Sequence, residues 1–269
     1  MPELPEVETT RRGIEPHVVG QRIERIILRH DRLRWPISSE VRELESHRIV
    51  DLSRRGKYLL MHLDRGHLIW RLGMSGSLRI LPVGSPAEKH EHVEMQFANA
   101  QARKSRDPRR FGALLFTEED PLQHKLIQSL GPEPLSDEFS TDYLYARCRK
   151  RQASIKTILM NSQVVVGVGN IYASEALFLA GIRPTRAGGR ISKTRIGKLV
   201  DAVKLTLQKA IQAGGTTLQD FTQADGNPGY FRHELQVYGN RDSCPHCGEP
   251  IRQIVLGQRA SYYCPQCQS

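Results

Sequence analysis

The chain has no run of 18 or more apolar residues, so no membrane-spanning helix is expected. Its first thirty residues are charged throughout and lack an apolar core segment, which argues against a secretory signal and for a cytoplasmic location. Cysteine is scarce. Of five in 269 residues, Cys148 stands alone and the other four fall within the last 26 positions. A lone cysteine in a reducing compartment is usually an inert thiol, and no role is assigned to Cys148. There is no internal repeat and no low-complexity tract. The length allows one large or two modest domains with a small appended module.

Cationic charge is abundant. Lys and Arg number 39 against 29 Asp and Glu, a formal net charge of +10, spread along the chain. A polyanionic partner follows naturally, and nucleic acid leads because each neutralised phosphate releases counterions. A basic protein that needs no polyanion is the alternative.

From about residue 20 to 118 the chain reads as short strands: RIERIILRH, RIVDLS, KYLLMHL, HLIWRLGM, SLRILPV, HVEMQF and ALLFT. Many short strands without long helices suggest a sandwich or barrel. LGPEPLSDEFS (130–140) reads as a linker, and beyond it the period becomes helical. IKTILM is a short helix, and IYASEALFLAGI is another that ends near Gly181. Ser192 caps a longer one with Ile196, Leu199, Val200, Val203, Leu207 and Ile211 on one stripe, closed by Gly214 and Gly215. Residues 216–231 read as a loop rich in turn residues.

Cys244-x2-Cys247 and Cys264-x2-Cys267, sixteen residues apart, fit a four-thiolate zinc site. Some thirty residues cannot bury a useful core, so the metal would supply the folding free energy. Between the knuckles, IRQIVLG and ASYY read as a hairpin with Gly257-Gln258-Arg259 at the bend. Arg259 is there either a phosphate probe or a solvated arginine. VVVGVGN before a helix puts backbone N–H groups and Asn170 at a helix N-terminus, a phosphate-ready turn or a plain connection. RCRKRQASIK upstream adds Arg147, Arg149, Lys150, Arg151 and Lys156. KSRDPRRFG puts three arginines around an Asp-Pro turn before Phe111, which either wedges between bases or returns to the core.

The first residues, MPELPEVETTRR, are acidic in a basic chain. Residues 5–14 read as a short helix with Pro5 in its first turn, stopped by Gly13 and Pro16. Methionine before a small residue is normally removed, which would leave Pro2 with a secondary amine. Such an amine can attack an aldehyde-like carbon and give an iminium ion, provided that its pKa is lowered. Glu3 could then shuttle protons, with Glu6 and Glu8 at the helix start. A capped surface helix is the alternative.

PELPEVET, RRGKY, LGMSG, DPRRFG, GVGNIY and the four-cysteine module with QRA occur in this order from residue 2 to 268. Together they resemble the bacterial formamidopyrimidine-DNA glycosylases, which excise oxidised purines (8-oxoguanine and formamidopyrimidines) from duplex DNA in base excision repair. The resemblance implies an α+β chain of three parts. These are an N-terminal catalytic two-sheet β-sandwich with an N-terminal helix (1–130), a helical domain with a helix–two-turn–helix and a lesion-recognition loop (131–236), and a zinc-finger hairpin (237–269). It implies Pro2 as the nucleophile at C1′, Glu3 as the acid that opens the deoxyribose ring, and Glu6 as a supporting carboxylate. Lys57 would serve β-elimination and Arg259 δ-elimination. Asn170, His90, Arg109 and Arg151 would contact DNA, with arginine at 151 where lysine is expected. Met74, Arg109 and Phe111 would fill the gap left by the everted nucleotide, and the 216–231 loop would cover it. One structural Zn2+, damaged double-stranded DNA as partner, a monomer and association with the bacterial nucleoid complete the expectations.

The endonuclease VIII-type sister family shares the fold and the proline but prefers oxidised pyrimidines. Leu4, where glycine is expected there, and the full DPRRF loop favour the oxidised-purine branch. A non-catalytic zinc-containing DNA sensor would explain the charge and the cysteines but not Pro2-Glu3. A zinc hydrolase is excluded by four thiolates that leave no open coordination position.

Overall fold

The computed structural model describes residues 2–216, 229–239 and 242–269. The chain divides into two compact units, Met1–Gln128 with Ala213–Tyr230, and Ser129–Gln212 with Phe231–Ser269.

The first unit opens with α1 (Leu4–Val18). Pro5 sits in its first turn, and the Glu6 carboxylate folds back to accept the Glu3 N–H at 2.7 Å, closing a capping box. Leu4, Val7, Ile14 and Val18 recur at helical spacing and are buried. The helix was expected to stop at Pro16 but continues to Val18. Pro16 lies on the exposed side, while Ile14 and Val18 carry the last turn past it on the buried side.

Eight strands follow: β1 (Ile23–Leu28), β2 (Ile49–Arg55), β3 (Tyr58–Leu63), β4 (His67–Arg71), β5 (Ser77–Pro82), β6 (Glu91–Phe97), β7 (Gln101–Arg106) and β8 (Ala113–Thr117). They form two antiparallel sheets, ordered β1-β6-β7-β5 and β2-β3-β4-β8. Both sheets feed one apolar cluster that includes Ile23, Leu52, Leu59, Trp70, Val93 and Phe97, with α1 contributing Val7, Ile14 and Val18. The expected sandwich is present.

Strand β7 was not anticipated, because QARKSR reads as surface. Yet it runs between β6 and β5, with Arg103 0% and Lys104 1% exposed. Lys104 Nζ donates to the Ser85 carbonyl at 2.6 Å and lies 3.6 Å from Glu91 and 3.8 Å from Glu94. The Arg103 guanidinium stacks 3.8 Å from the Trp70 ring centroid, and burial pushes its pKa down to about 9. Tertiary partners override the polar pattern.

The second unit contains α2 (Thr141–Cys148), α3 (Ile155–Leu159), α4 (Asn170–Leu179), α5 (Lys193–Gln212) and the hairpin of β9 (Arg252–Leu256) and β10 (Arg259–Tyr263). On α5 the expected stripe is buried from Ile196 to Leu207, and Ser192 Oγ caps the Arg195 N–H. Helix α2 was missed, although Ser140 caps it by accepting the Tyr143 N–H. Residues 130–140, expected as a linker, are packed instead. Phe139 is fully buried, and Gly131 N–H bonds the Ser162 carbonyl. Cys148 is buried and its thiol is pushed up to about 11, which leaves it inert as expected.

Candidate active site and metal centre

In the first unit a narrow crevice is lined by Pro2, Val7, Lys57, Arg71, Leu72 and Gly73. Pro2 reaches it from the start of α1. Lys57 reaches it from the two-residue turn Gly56-Lys57, closed by the pair Arg55 and Tyr58. Glu3 and Glu6 are each 2% exposed beside Pro2. Glu6 splits its carboxylate: Oε2 accepts the Glu3 N–H and Oε1 accepts the Thr216 N–H at 2.8 Å. Thr216 is the last described residue before 217–228. The loop expected over 216–231 falls mostly outside the described residues, as does Met1.

Glu8 does more than sit at a helix start. Its Oε2 accepts from Arg54 Nε at 3.1 Å, and Oε1 accepts from Arg12 Nε at 2.7 Å and Arg11 Nη2 at 3.1 Å. Arg54 Nη1 in turn donates to the Gly56 carbonyl at 2.9 Å, so this pair holds the turn that carries Lys57. Burial would raise the pKa of Glu8, but the hydrogen bonds and charges of Arg11, Arg12 and Arg54 outweigh it and hold the carboxyl below its usual value. Glu8 and Arg54 were missed as positioning residues; the arginine pair in RRGKY was the available signal.

Two loops pack backbone to backbone next to the crevice. A Cβ on Gly73 (φ +76°) would fall 2.5 Å from the Gly112 nitrogen and the Phe111 carbonyl carbon, so only glycine fits. This brings Met74, Arg109 and Phe111 together. Arg109 Nη2 lies 3.4 Å from Met74 Sδ, and its guanidinium sits 5.1 Å from the Phe111 centroid. Phe111 is 40% exposed and does not return to the core. Buried Asp107 organises the second loop: Oδ2 accepts the Gly112 N–H at 2.8 Å, and its own N–H donates to the His90 carbonyl at 2.9 Å. His90 takes the left-handed conformation (φ +73°) at the start of β6.

In the second unit Asn170 is the first residue of α4. Its Nδ2 donates to the Ala260 carbonyl at 2.9 Å and to Tyr238 Oη at 3.3 Å. Arg259 is exposed and opens β10, paired with Leu256 across Gly257 and Gln258, whose φ values of +53° and +62° suit a tight primed turn. Lys156, grouped with a basic run in the sequence, is 1% exposed. Its Nζ donates to Ser261 Oγ at 2.7 Å, and Ser261 Oγ donates to the Arg259 carbonyl at 3.2 Å. Asn170, Lys156 and the Arg259 hairpin therefore form one braced cluster. Glu175 on α4 fixes its edge by accepting the N–H groups of Gln236, Val237 and Tyr238. Glu175 and Tyr238 were not picked out from the sequence, and Lys156 was named there only as one of a basic run. Arg151, half-buried, donates its N–H to the Cys148 carbonyl, and no hydrogen bond among the described residues joins it to Asn170 or Arg259.

The Sγ atoms of Cys244, Cys247, Cys264 and Cys267 all lie within 4.8 Å of one another. The pairs Cys244–Cys267 and Cys247–Cys264 are 3.8 and 3.5 Å apart. A tetrahedral zinc with bonds of about 2.3 Å separates sulfurs by roughly 3.8 Å, so the donor set fits that ion. The Cys267 N–H points at Cys264 Sγ at 3.3 Å, a donor that steadies a thiolate.

Comparison with known proteins bears on both units. Residues 1–114 match the formamidopyrimidine-DNA glycosylase N-terminal domain, 130–222 its H2TH domain, and 243–269 a zinc finger found in FPG and IleRS. Formamidopyrimidine-DNA glycosylases of Idiomarina loihiensis and Stutzerimonas stutzeri are 54% and 55% identical, over 100% of this chain and of each relative. A Lactococcus lactis Fpg complexed with abasic-site DNA superposes with a TM-score of 0.92 at 36% identity, over 99% of both chains. A mutant of that enzyme with Fapy-dG DNA gives 0.93 at 35% identity, over 100% of both. The chain is an enzyme and belongs to the formamidopyrimidine-DNA glycosylase family. Among the described residues no helix is long and apolar enough to cross a membrane.

Proposed function

We propose that this chain is a bifunctional DNA glycosylase and AP lyase that excises oxidised purines from duplex DNA. What carries the reading is the crevice that Pro2 shares with Lys57, beside buried Glu3. With Met1 removed, the Pro2 nitrogen forms a bond to C1′ of the damaged nucleotide. The base departs with the electron pair of its glycosidic bond and takes up the proton that Pro2 loses. Glu3 then protonates O4′ as the ring opens, leaving an iminium ion between Pro2 and C1′. Glu6 fixes this end of the chain from both sides. Lys57 promotes β-elimination, and Arg259 promotes δ-elimination while gripping phosphate.

Asn170, His90, Arg109 and Arg151 contact the DNA backbone. Met74, Arg109 and Phe111 fill the space left by the extruded nucleotide, offsetting an unstacking cost of roughly a few kcal/mol. One zinc, held by Cys244, Cys247, Cys264 and Cys267, keeps the hairpin folded and leaves the chemistry to the protein. The catalytic sandwich domain is taken as residues 1–130, the helical domain as 131–236 and the finger as 237–269. The enzyme works as a monomer in the cytoplasm, on nucleoid DNA.

The deciding experiment is adduct formation with abasic-site duplex in cyanoborohydride. Wild type should give a covalent complex, and Pro2→Gly should strongly reduce excision while still binding DNA. Normal turnover by Pro2→Gly refutes the nucleophile. Excision from 8-oxoguanine:C and thymine-glycol:A duplexes then sets the substrate branch, since an L. lactis Fpg is also known in complex with oxidised-pyrimidine DNA.

A further inference from the structure

Arg71 ends β4, between Tyr58 of β3 and Ala113 of β8. It is half-buried and lines the crevice that holds Pro2 and Lys57. Its guanidinium lies 5.9 Å from the Tyr58 ring centroid, and among the described residues it makes no hydrogen bond or ion pair. This sets it apart from Arg54, which is engaged by Glu8. A guanidinium left unpaired in a confined space keeps its full field for whatever else faces that space.

We propose that Arg71 acts through Pro2, its unpaired charge favouring the neutral, nucleophilic form of the Pro2 amine. The inference rests on Pro2 being the nucleophile. An amine beside a fixed cation loses its proton more readily, because the protonated form is repelled. The charged groups around Pro2 come from three elements. Lys57 on the β2–β3 turn has the same sign as Arg71. Glu3 and Glu6 on the first turn of α1 oppose it, although the Glu6 oxygens are taken up by the Glu3 and Thr216 N–H groups. Arg71 on β4 tips this balance. Lys57 cannot serve as the probe, because its proposed role in elimination would confound the reading. Arg71 is a positioning residue in the electrostatic sense: it acts through another group.

The test is single-turnover trapping with abasic-site duplex and cyanoborohydride between pH 5 and 9, for wild type, Arg71→Met and Arg71→Lys. In Arg71→Met the acid limb should move up by about one pH unit, making trapping roughly tenfold slower on its acid side and equal to wild type at pH 9. Arg71→Lys should restore the wild-type midpoint. Should Arg71→Met fail to fold by circular dichroism, Arg71→Gln takes its place with the same expectation. An unchanged midpoint overturns the proposal. So does a rate lowered equally at every pH, which would make Arg71 a phosphate contact. Wild type that gives no adduct at any pH sinks the Pro2 reading instead.

Discussion

Two tight hairpins, one in each unit, carry a cation at or beside the tip, and they are made rigid by opposite means. The β2–β3 hairpin belongs to a four-stranded sheet and buries Leu52, Leu59, Met61 and Leu63 in the sandwich core. Its tip is held by the Glu8–Arg54–Gly56 chain of contacts. The β9–β10 hairpin is a two-stranded ribbon that leaves Val255 72% exposed. A ribbon of that kind is marginal by itself in water. It relies on the cysteine knuckles at its base and on Lys156 beneath Arg259. Buried area can hold a cation still, and so can metal ligation, but the two respond to different perturbations.

Removing a zinc ligand separates them most strongly. Cys264→Ser, or chelation of the metal, should unfold the ribbon and weaken DNA binding by roughly 10- to 100-fold in fluorescence anisotropy, while Pro2 adducts still form at saturating enzyme. Affinity that survives would mean the ribbon is not held by metal. Next comes the opposite hairpin. Glu8→Gln should cost about 1–3 kcal/mol in urea unfolding followed by tryptophan fluorescence, which reports the first unit because Trp35 and Trp70 both lie there. Its pH dependence follows from the sign of the shift. The folded pKa of Glu8 is depressed, so its stabilisation is complete above the ordinary value of 4.5 and is lost as pH falls through the lower folded value. Glu94 acts in the same direction: burial raises it, but Arg29, Gln96 and Lys104 prevail. The variant should therefore show a flatter loss of stability in acid than wild type.

A smaller effect is expected from Lys156→Met. Loss of about 1 kcal/mol of support under Arg259 should slow δ-elimination roughly fivefold, read as a higher ratio of β- to δ-products, with base excision little changed. Equal slowing of both steps would show that Lys156 serves the fold alone. Smallest of all, Gly257→Ala puts a side chain at φ +53° with nothing closer than 3.9 Å, and should cost about 1 kcal/mol or less of ribbon stability.

The sequence made some of this legible and hid the rest for physical reasons. The cysteine spacing and the α5 stripe announce themselves because ligand geometry and helical period act locally. Strand β7 could not be read, since Arg103 and Lys104 find their partners on other strands and in the Ser85–Pro86 loop. Helix α1 outruns Pro16 because burial of Val18 is a tertiary matter. The crevice was half visible. Pro2 and Lys57 stand in recognisable motifs, whereas Arg71 sits in HLIWRLGM, where nothing local marks it as lining the same crevice as Pro2. Likewise Glu8 reads as helix-start acid until Arg54 arrives from β2.

The divided carboxylate of Glu6 has a consequence for synthesis. It joins the Glu3 N–H to Thr216, which lies 210 residues beyond Glu6 itself. A ribosome that has made the whole sandwich has still not delivered the donor that completes its opening turn. Until then the buried Glu6 carboxyl lacks the Thr216 donor, so a prematurely terminated product would present its first helical turn without that contact. Assembly of this first turn thus waits on a late-made part of the polypeptide.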